Sequence, residues 1–100
     1  MFIAHVTFPV SRENRAFALE ALLKEVDFVR ALPGCIAFIP FLDPTDPQGL
    51  GVLHEWTSAE EMGAYLASDC FASIGEILRP IMAAPPISKR FDAQLIETVN

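Results

Sequence analysis

The side chains best suited to chemistry in this 100-residue chain are its two histidines, its single tryptophan and its single tyrosine. His54 and Trp56 stand two residues apart in Leu50–Trp56, a segment of strand character, so with Val52 they point to one face. Imidazole titrates near neutrality, which makes His54 the natural general base of the chain. His5 belongs to another strand-like segment, Phe2–Phe8, and could reach the same face as an orienting partner. Tyr65, on the helix that follows Trp56, could donate a hydrogen bond to a substrate oxygen, and Arg79 could receive an anionic group. Val52, Met62 and Phe71 would supply apolar wall for a small ligand. Such a set suits removal of a proton from a bound substrate, with donors holding the resulting anion. An isomerase or a decarboxylase would leave the same trace, because only the base is visible.

Each of these residues also has a packing role open to it. Trp56 is a large hydrophobe at a strand end, and the histidines could be partly buried with satisfied hydrogen bonds. Tyr65 falls at helical spacing with Met62 and Leu66, and Arg79 could complement a helix dipole. No metal site is expected, since two histidines without a carboxylate or thiol at ligand spacing fall short of a stable ligand set. Gly-x-Ser-x-Gly, H-E-x-x-H and P-loop patterns are absent. Cys35 and Cys70 form no C-x-x-C pattern and read as reduced thiols packed as small hydrophobes.

The elements that would position these groups follow from turn chemistry and hydrophobic period. Phe2–Phe8 is rich in aromatic and β-branched residues and ends at Pro9, as a strand does. Ser11 is placed to cap a helix whose Leu19, Leu22, Leu23, Val26 and Val29 form one stripe, widened by Phe17, Ala21 and Phe28. Pro33-Gly34 stops it. Cys35–Leu42 is an unbroken apolar run, expected where both faces of a strand are covered. The turn formers Asp43–Gly49 make a hairpin loop, and Leu50–Trp56 returns from it. Ser58 and Glu61 are spaced as a capping box for a second helix. Ser68-Asp69 breaks that helix and caps a third one, carrying Phe71, Ile74, Ile77 and Leu78. Pro80 and Pro85-Pro86 close the helical region. Ile87–Val99 supplies a last strand. The order is β-α-β-β-α-β with the second helix broken, the split βαβ arrangement of ferredoxin-like α+β domains with an antiparallel sheet.

The totals limit what such a domain can do. One hundred residues make a single domain, spanning 1–100. The chain is 52% hydrophobic, which is more apolar surface than one small core can hide. A subunit interface or an apolar cavity is the natural place for the excess. The longest apolar run has eight residues and contains Pro40, too short to span a membrane. No basic region precedes Phe2-Ile3-Ala4, so a secretory signal is not expected and the cytoplasm is the expected location. A formal charge of −6 disfavours nucleic acid as a partner.

Several short segments, in order, resemble one family. Pro33-Gly34-Cys35 resembles its step into the second strand, and the Asp-Pro-rich Asp43–Pro47 is similar to its hairpin loop. His54-Glu55-Trp56-Thr57-Ser58 resembles its Glu-x-Trp-x-Ser, and Tyr65-Leu66-Ala67-Ser68 with Phe71 resembles its His-Leu-x-Ser…Phe. The chain thus resembles the antibiotic biosynthesis monooxygenase family of dimeric α/β-barrel proteins. It departs from the pattern at His54, where the family often has Glu, and at Tyr65, where it often has His. The resemblance implies a homodimer whose sheets pack face to face into a barrel, with a pocket between sheet and helices in each subunit. It also implies a cofactor-independent monooxygenase acting on a quinol- or anthrone-like aromatic, or a barrel that binds a small ligand without turnover. Haem is disfavoured, because the helix after Trp56 lacks the histidine that haem-degrading members use.

Overall fold

Four strands and two helical regions form where turn chemistry divides the chain. The structure is a computed structural model that describes every residue from Met1 to Asn100. The elements are β1 (Phe2–Pro9), α1 (Arg12–Leu23), α2 (Val26–Arg30), β2 (Cys35–Leu42), β3 (Gly49–Trp56), α3 (Ala59–Leu66), α4 (Asp69–Leu78) with a 3₁₀ turn at Arg79–Ile81, and β4 (Ile87–Asp92). The strands make one antiparallel sheet in the order β2-β3-β1-β4, the ferredoxin-like α+β arrangement. The helices cover one face of this open sheet.

The caps are selective. Ser58 Oγ accepts from the Glu61 backbone N–H at 3.3 Å, and Ser68 Oγ accepts from the Phe71 N–H at 3.2 Å. The Glu61 side chain does not complete the capping box and lies instead across Gly34. Gly34 has φ +80°, and a Cβ there would sit 2.6 Å from Glu61 Cγ, so only glycine fits this turn. Ser11 occupies the cap position of α1 without a side-chain hydrogen bond.

The first helix is two helices, contrary to the single stripe expected. A break at Lys24–Glu25 lets Val26 and Val29 turn into the core, while Ala18, Ala21 and Leu22 are the buried residues of α1. Phe17, Leu23 and Phe28 are about half exposed. Two short alanines and Leu22 make the buried face of α1.

Two expectations about the strands also change. β2 is covered on one face only: Phe38 is buried, whereas Ile36 and Ile39 are 49% and 44% exposed. The last strand ends at Asp92, not Val99. Its ladder partner β1 runs out there, with Phe2 opposite Asp92 and the Met1 and Ala93 backbones bonded to each other at 2.7 Å. The closing residues from Ala93 to Asn100 adopt no regular structure.

The core lies between the sheet and the helices. Ala4, Phe8, Phe38, Leu50, Val52 and Trp56 come from the strands, and Met62, Tyr65, Ile74 and Leu78 meet them from α3 and α4. Two arginines tie the frame together through backbone carbonyls. Arg15 holds the O atoms of Asp43 and Gly49 at the hairpin, and Arg30 holds the O atom of Phe38 at 3.0 Å.

Candidate functional site

The period of two along β3 puts Leu50, Val52, His54 and Trp56 on the helix-covered face, and all four are buried. Pairing extends this face sideways. Phe38 of β2 and Ala4 of β1 flank His54, and Arg90 of β4 lies beyond Ala4. The neighbouring row runs Pro40, Val52, Val6 and Ser88.

This register separates the two histidines. His5 pairs with Leu53 and faces the opposite side, where its ring lies 5.8 Å from that of Phe41. The expectation that His5 could orient His54 is therefore corrected: Ala4, one residue away, takes the place beside His54. Strand alternation fixes this once the register is known, and the sequence does not give the register.

Behind His54 lies Trp56, fully buried. The Trp56 Nε1–H donates to His54 Nδ1 at 2.8 Å. An indole N–H can only donate, so Nδ1 must be the unprotonated nitrogen and the neutral ring carries its proton on Nε2. Burial, and next the charge of Arg90, push the His54 pKa down to about 4. At neutral pH the ring is uncharged, with one tautomer selected by the indole.

Tyr65 closes the site from α3. Its ring stacks on Trp56 with centroids 5.5 Å apart and meets His54 edge-on at 6.0 Å. Phe38 and Phe71 complete the cluster at 5.8 Å and 5.4 Å from the same ring. Burial first, then the acidic groups of Cys70, Glu25 and Cys35, raise the Tyr65 hydroxyl well above the usual phenol range. It stays an O–H donor throughout the working pH range. The Cys70 thiol itself donates to Glu25 at 2.8 Å, which joins the start of α4 to the break between α1 and α2.

In front of His54 and Tyr65 is a cavity of about 150 Å³. Its walls include Val6, Phe8, Leu22, Phe38, Val52, Phe71, Ile74 and Leu78, and no carboxylate lines it. No buried side-chain N or O atom in the fold lacks a partner. Neither His54 Nε2 nor Tyr65 Oη has a protein hydrogen-bond partner, so each keeps some exposure, and both residues line the cavity. Arg79 stands at the rim with its guanidinium beside Gly75, where a Cβ would lie 3.4 Å from Nη2.

Of the residues expected from sequence, the structure brings His54, Tyr65, Val52, Phe71 and Arg79 to this one cavity. Trp56 and Met62 do not line it; both are packed beneath, Met62 at 2% exposure. Phe38, Phe8, Leu22 and Ile74 also line it; the unbroken apolar run around Phe38 conceals which side chains face inward, and the other three meet the cavity only through packing of elements distant in sequence. Arg90, too, reaches the neighbourhood of His54 only through the β1–β4 pairing. No group of three or more His, Cys, Asp or Glu side chains converges in the fold. No helix is long and apolar enough to cross a membrane.

A ferredoxin-like sheet with an aromatic-walled cavity under its helices defines a class of small α+β proteins, and sequence comparison places the chain in one family. The family model of antibiotic biosynthesis monooxygenase matches residues 1–76, and the chain belongs to that family. A solved structure from Deinococcus radiodurans, described as a candidate antibiotic biosynthesis monooxygenase, aligns with TM-score 0.90 over 100% of this chain and 99% of its own, at 19% identity. One from Nitrosomonas europaea with the same description aligns at 0.89 over 95% and 100%, at 15% identity. A third, from Caulobacter crescentus, aligns at 0.88 over 94% and 90%, at 22% identity. At these identities the structural likeness speaks for the fold alone. No curated protein matches the chain.

Proposed function

We propose that the protein is a cofactor-independent monooxygenase that oxidises a single-ring quinol in the cavity between sheet and helices. The observation that carries this reading is the pairing of an apolar cavity with two neutral donors, His54 Nε2–H and Tyr65 O–H, in a chain of this family. O₂ needs an electron-rich partner, and a quinol that has lost one proton is such a partner. Electron transfer to O₂, collapse of the radical pair onto the ring and loss of water convert hydroquinone plus O₂ into hydroxyquinone plus water. All four electrons that reduce O₂ come from the ring, so no added reductant is required. Val52, Phe71 and the other wall residues hold the ring, and Arg79 receives an anionic group at the rim.

Volume narrows the substrate. A dry apolar cavity of about 150 Å³ takes up benzene, and this one has about that volume. A three-ring anthrone exceeds it. The assembly we propose is a homodimer, since the face of the sheet away from the helices carries Ile3, His5, Ile39, Phe41, Leu53 and Phe91 as an open apolar surface.

Oxygen uptake by the purified protein with monocyclic hydroquinones and an anthrone tests the reading, beside Tyr65→Phe and His54→Ala. Uptake with the hydroquinones above the uncatalysed rate, reduced at least tenfold in both variants, is expected. No uptake across the hydroquinones would overturn it. The second reading, ligand binding without turnover, draws on the tautomer of His54, which presents a donor where a base was expected. It predicts that monocyclic phenols raise the melting temperature with no consumption of oxygen.

A further inference from the structure

We propose that His54 and Tyr65 form a two-donor oxyanion site that takes a single-ring phenol as its phenolate, the proton passing to solvent and not to a protein base. This rests on the cavity of the preceding section but not on turnover there. The geometry leaves little alternative role for His54. Its Nδ1 lone pair is held by the Trp56 N–H at 2.8 Å, and Nε2 then bears the ring proton. To act as a base the ring would have to give up that bond and become a buried cation.

The groups facing His54 support the same conclusion. Trp56 comes from its own strand, Phe38 from β2, Ala4 from β1 and Tyr65 from α3. Arg90 of β4, one position beyond Ala4, adds a positive charge that opposes protonation of the ring. The Tyr65 hydroxyl also feels the acidic groups of Cys70, Glu25 and Cys35, which hold its proton on. Glu25 accepts the Cys70 thiol proton, and neither residue lines the cavity. Arg79 is the one ionic group of the lining. In a chain of net charge −6, Arg79 and Arg90 make this opening locally attractive to an anion. Two neutral donors aimed at the phenol oxygen favour its ionised form, as an oxyanion hole favours a tetrahedral intermediate, and must outweigh the cost of burying the charge. Trp56 is a positioning residue in this scheme, because it acts only by selecting the tautomer.

The test uses 4-nitrophenol, a one-ring probe whose ionisation is visible by absorbance and whose binding needs no oxygen. The bound probe is expected to titrate at least one pH unit below the free one. Tyr65→Phe, which removes only the hydroxyl, is expected to weaken binding of the anion about tenfold or more and of neutral phenol little. Nitrogen-15 spectra of His54 should show protonation at Nε2 alone from pH 6 to 8, with or without probe, and Trp56→Phe should let both tautomers appear. The proposal is overturned if the probe does not bind, if its bound pKa is unchanged or raised, or if binding turns His54 into imidazolium. Anion binding without oxygen uptake would sink the monooxygenase reading and leave this one standing. Oxygen uptake with a neutral bound phenol would do the reverse.

Discussion

Acidification should destabilise the fold through His54 before most carboxylates titrate. The ring is 3% exposed and its pKa is about 4 in the fold, against about 6.5 for an unfolded histidine. The folded-state value lies below the unfolded one, so between the two the unfolded chain binds a proton that the native state refuses. Stability is then intact above pH 6.5 and falls as the pH drops toward 4. With 1.36 kcal/mol per unit, the loss from this one ring is about 2 kcal/mol between pH 7 and 5 and about 3 kcal/mol by pH 4. Urea unfolding of the wild type and of His54→Asn at pH 7, 6 and 5 isolates it. Asn keeps an acceptor for the Trp56 N–H but cannot take up a proton. The wild type should lose about 2 kcal/mol more than the variant over this range. Parallel loss in both proteins, or a His54 imidazole seen by NMR to titrate near 6.5, would refute the buried neutral ring and the tautomer argument with it.

Two further outcomes follow from the frame around the site. Gly34→Ala forces a side chain into a left-handed turn and against Glu61, and should cost about 1–2 kcal/mol from the backbone alone; an unchanged urea midpoint would show that the turn can relax. Ile39→Glu places a charge on the open face of the sheet, where Ile39 is 44% exposed in the single chain. It should convert a dimer into monomers by sedimentation at micromolar concentration, while a wild type already monomeric there would remove the proposed assembly.

The fold was legible wherever turn chemistry or a cap marks a boundary. Pro33-Gly34, the Asp-Pro hairpin, Ser58 and Ser68 each act within a few residues, and each stands where its sequence places it. The break at Lys24–Glu25 was not legible, because the apolar residues continue across it and only packing against the sheet tells Ala18 and Ala21 from Leu23. The site was legible in part. Alternation along β3 suffices to group Val52, His54 and Trp56, since it is a local property of one strand. Whether His5 joined them depended on the β1–β3 register, a non-local fact that shifts by one residue without any change in composition. The role of His54 was hidden for another reason. Spacing shows Trp56 two residues on, but only the contact shows its N–H taking the nitrogen a base would need.

The split of β1 and β3 into two faces also governs which length changes this chain can accept. His54 lines the cavity while Leu53 and Glu55 point the other way, so a single residue inserted ahead of Leu53 in β3 would exchange the two sets. The imidazole would emerge among the apolar residues of the open face, and a leucine would replace it beside Tyr65. Insertions within these strands should therefore survive only in pairs, or where a bulge absorbs the odd residue, as the register shift between Cys35 and Ala37 does at the start of the edge strand β2. The exposed turn from Asp43 to Gln48 bears no such parity rule, and natural variation in length should gather there.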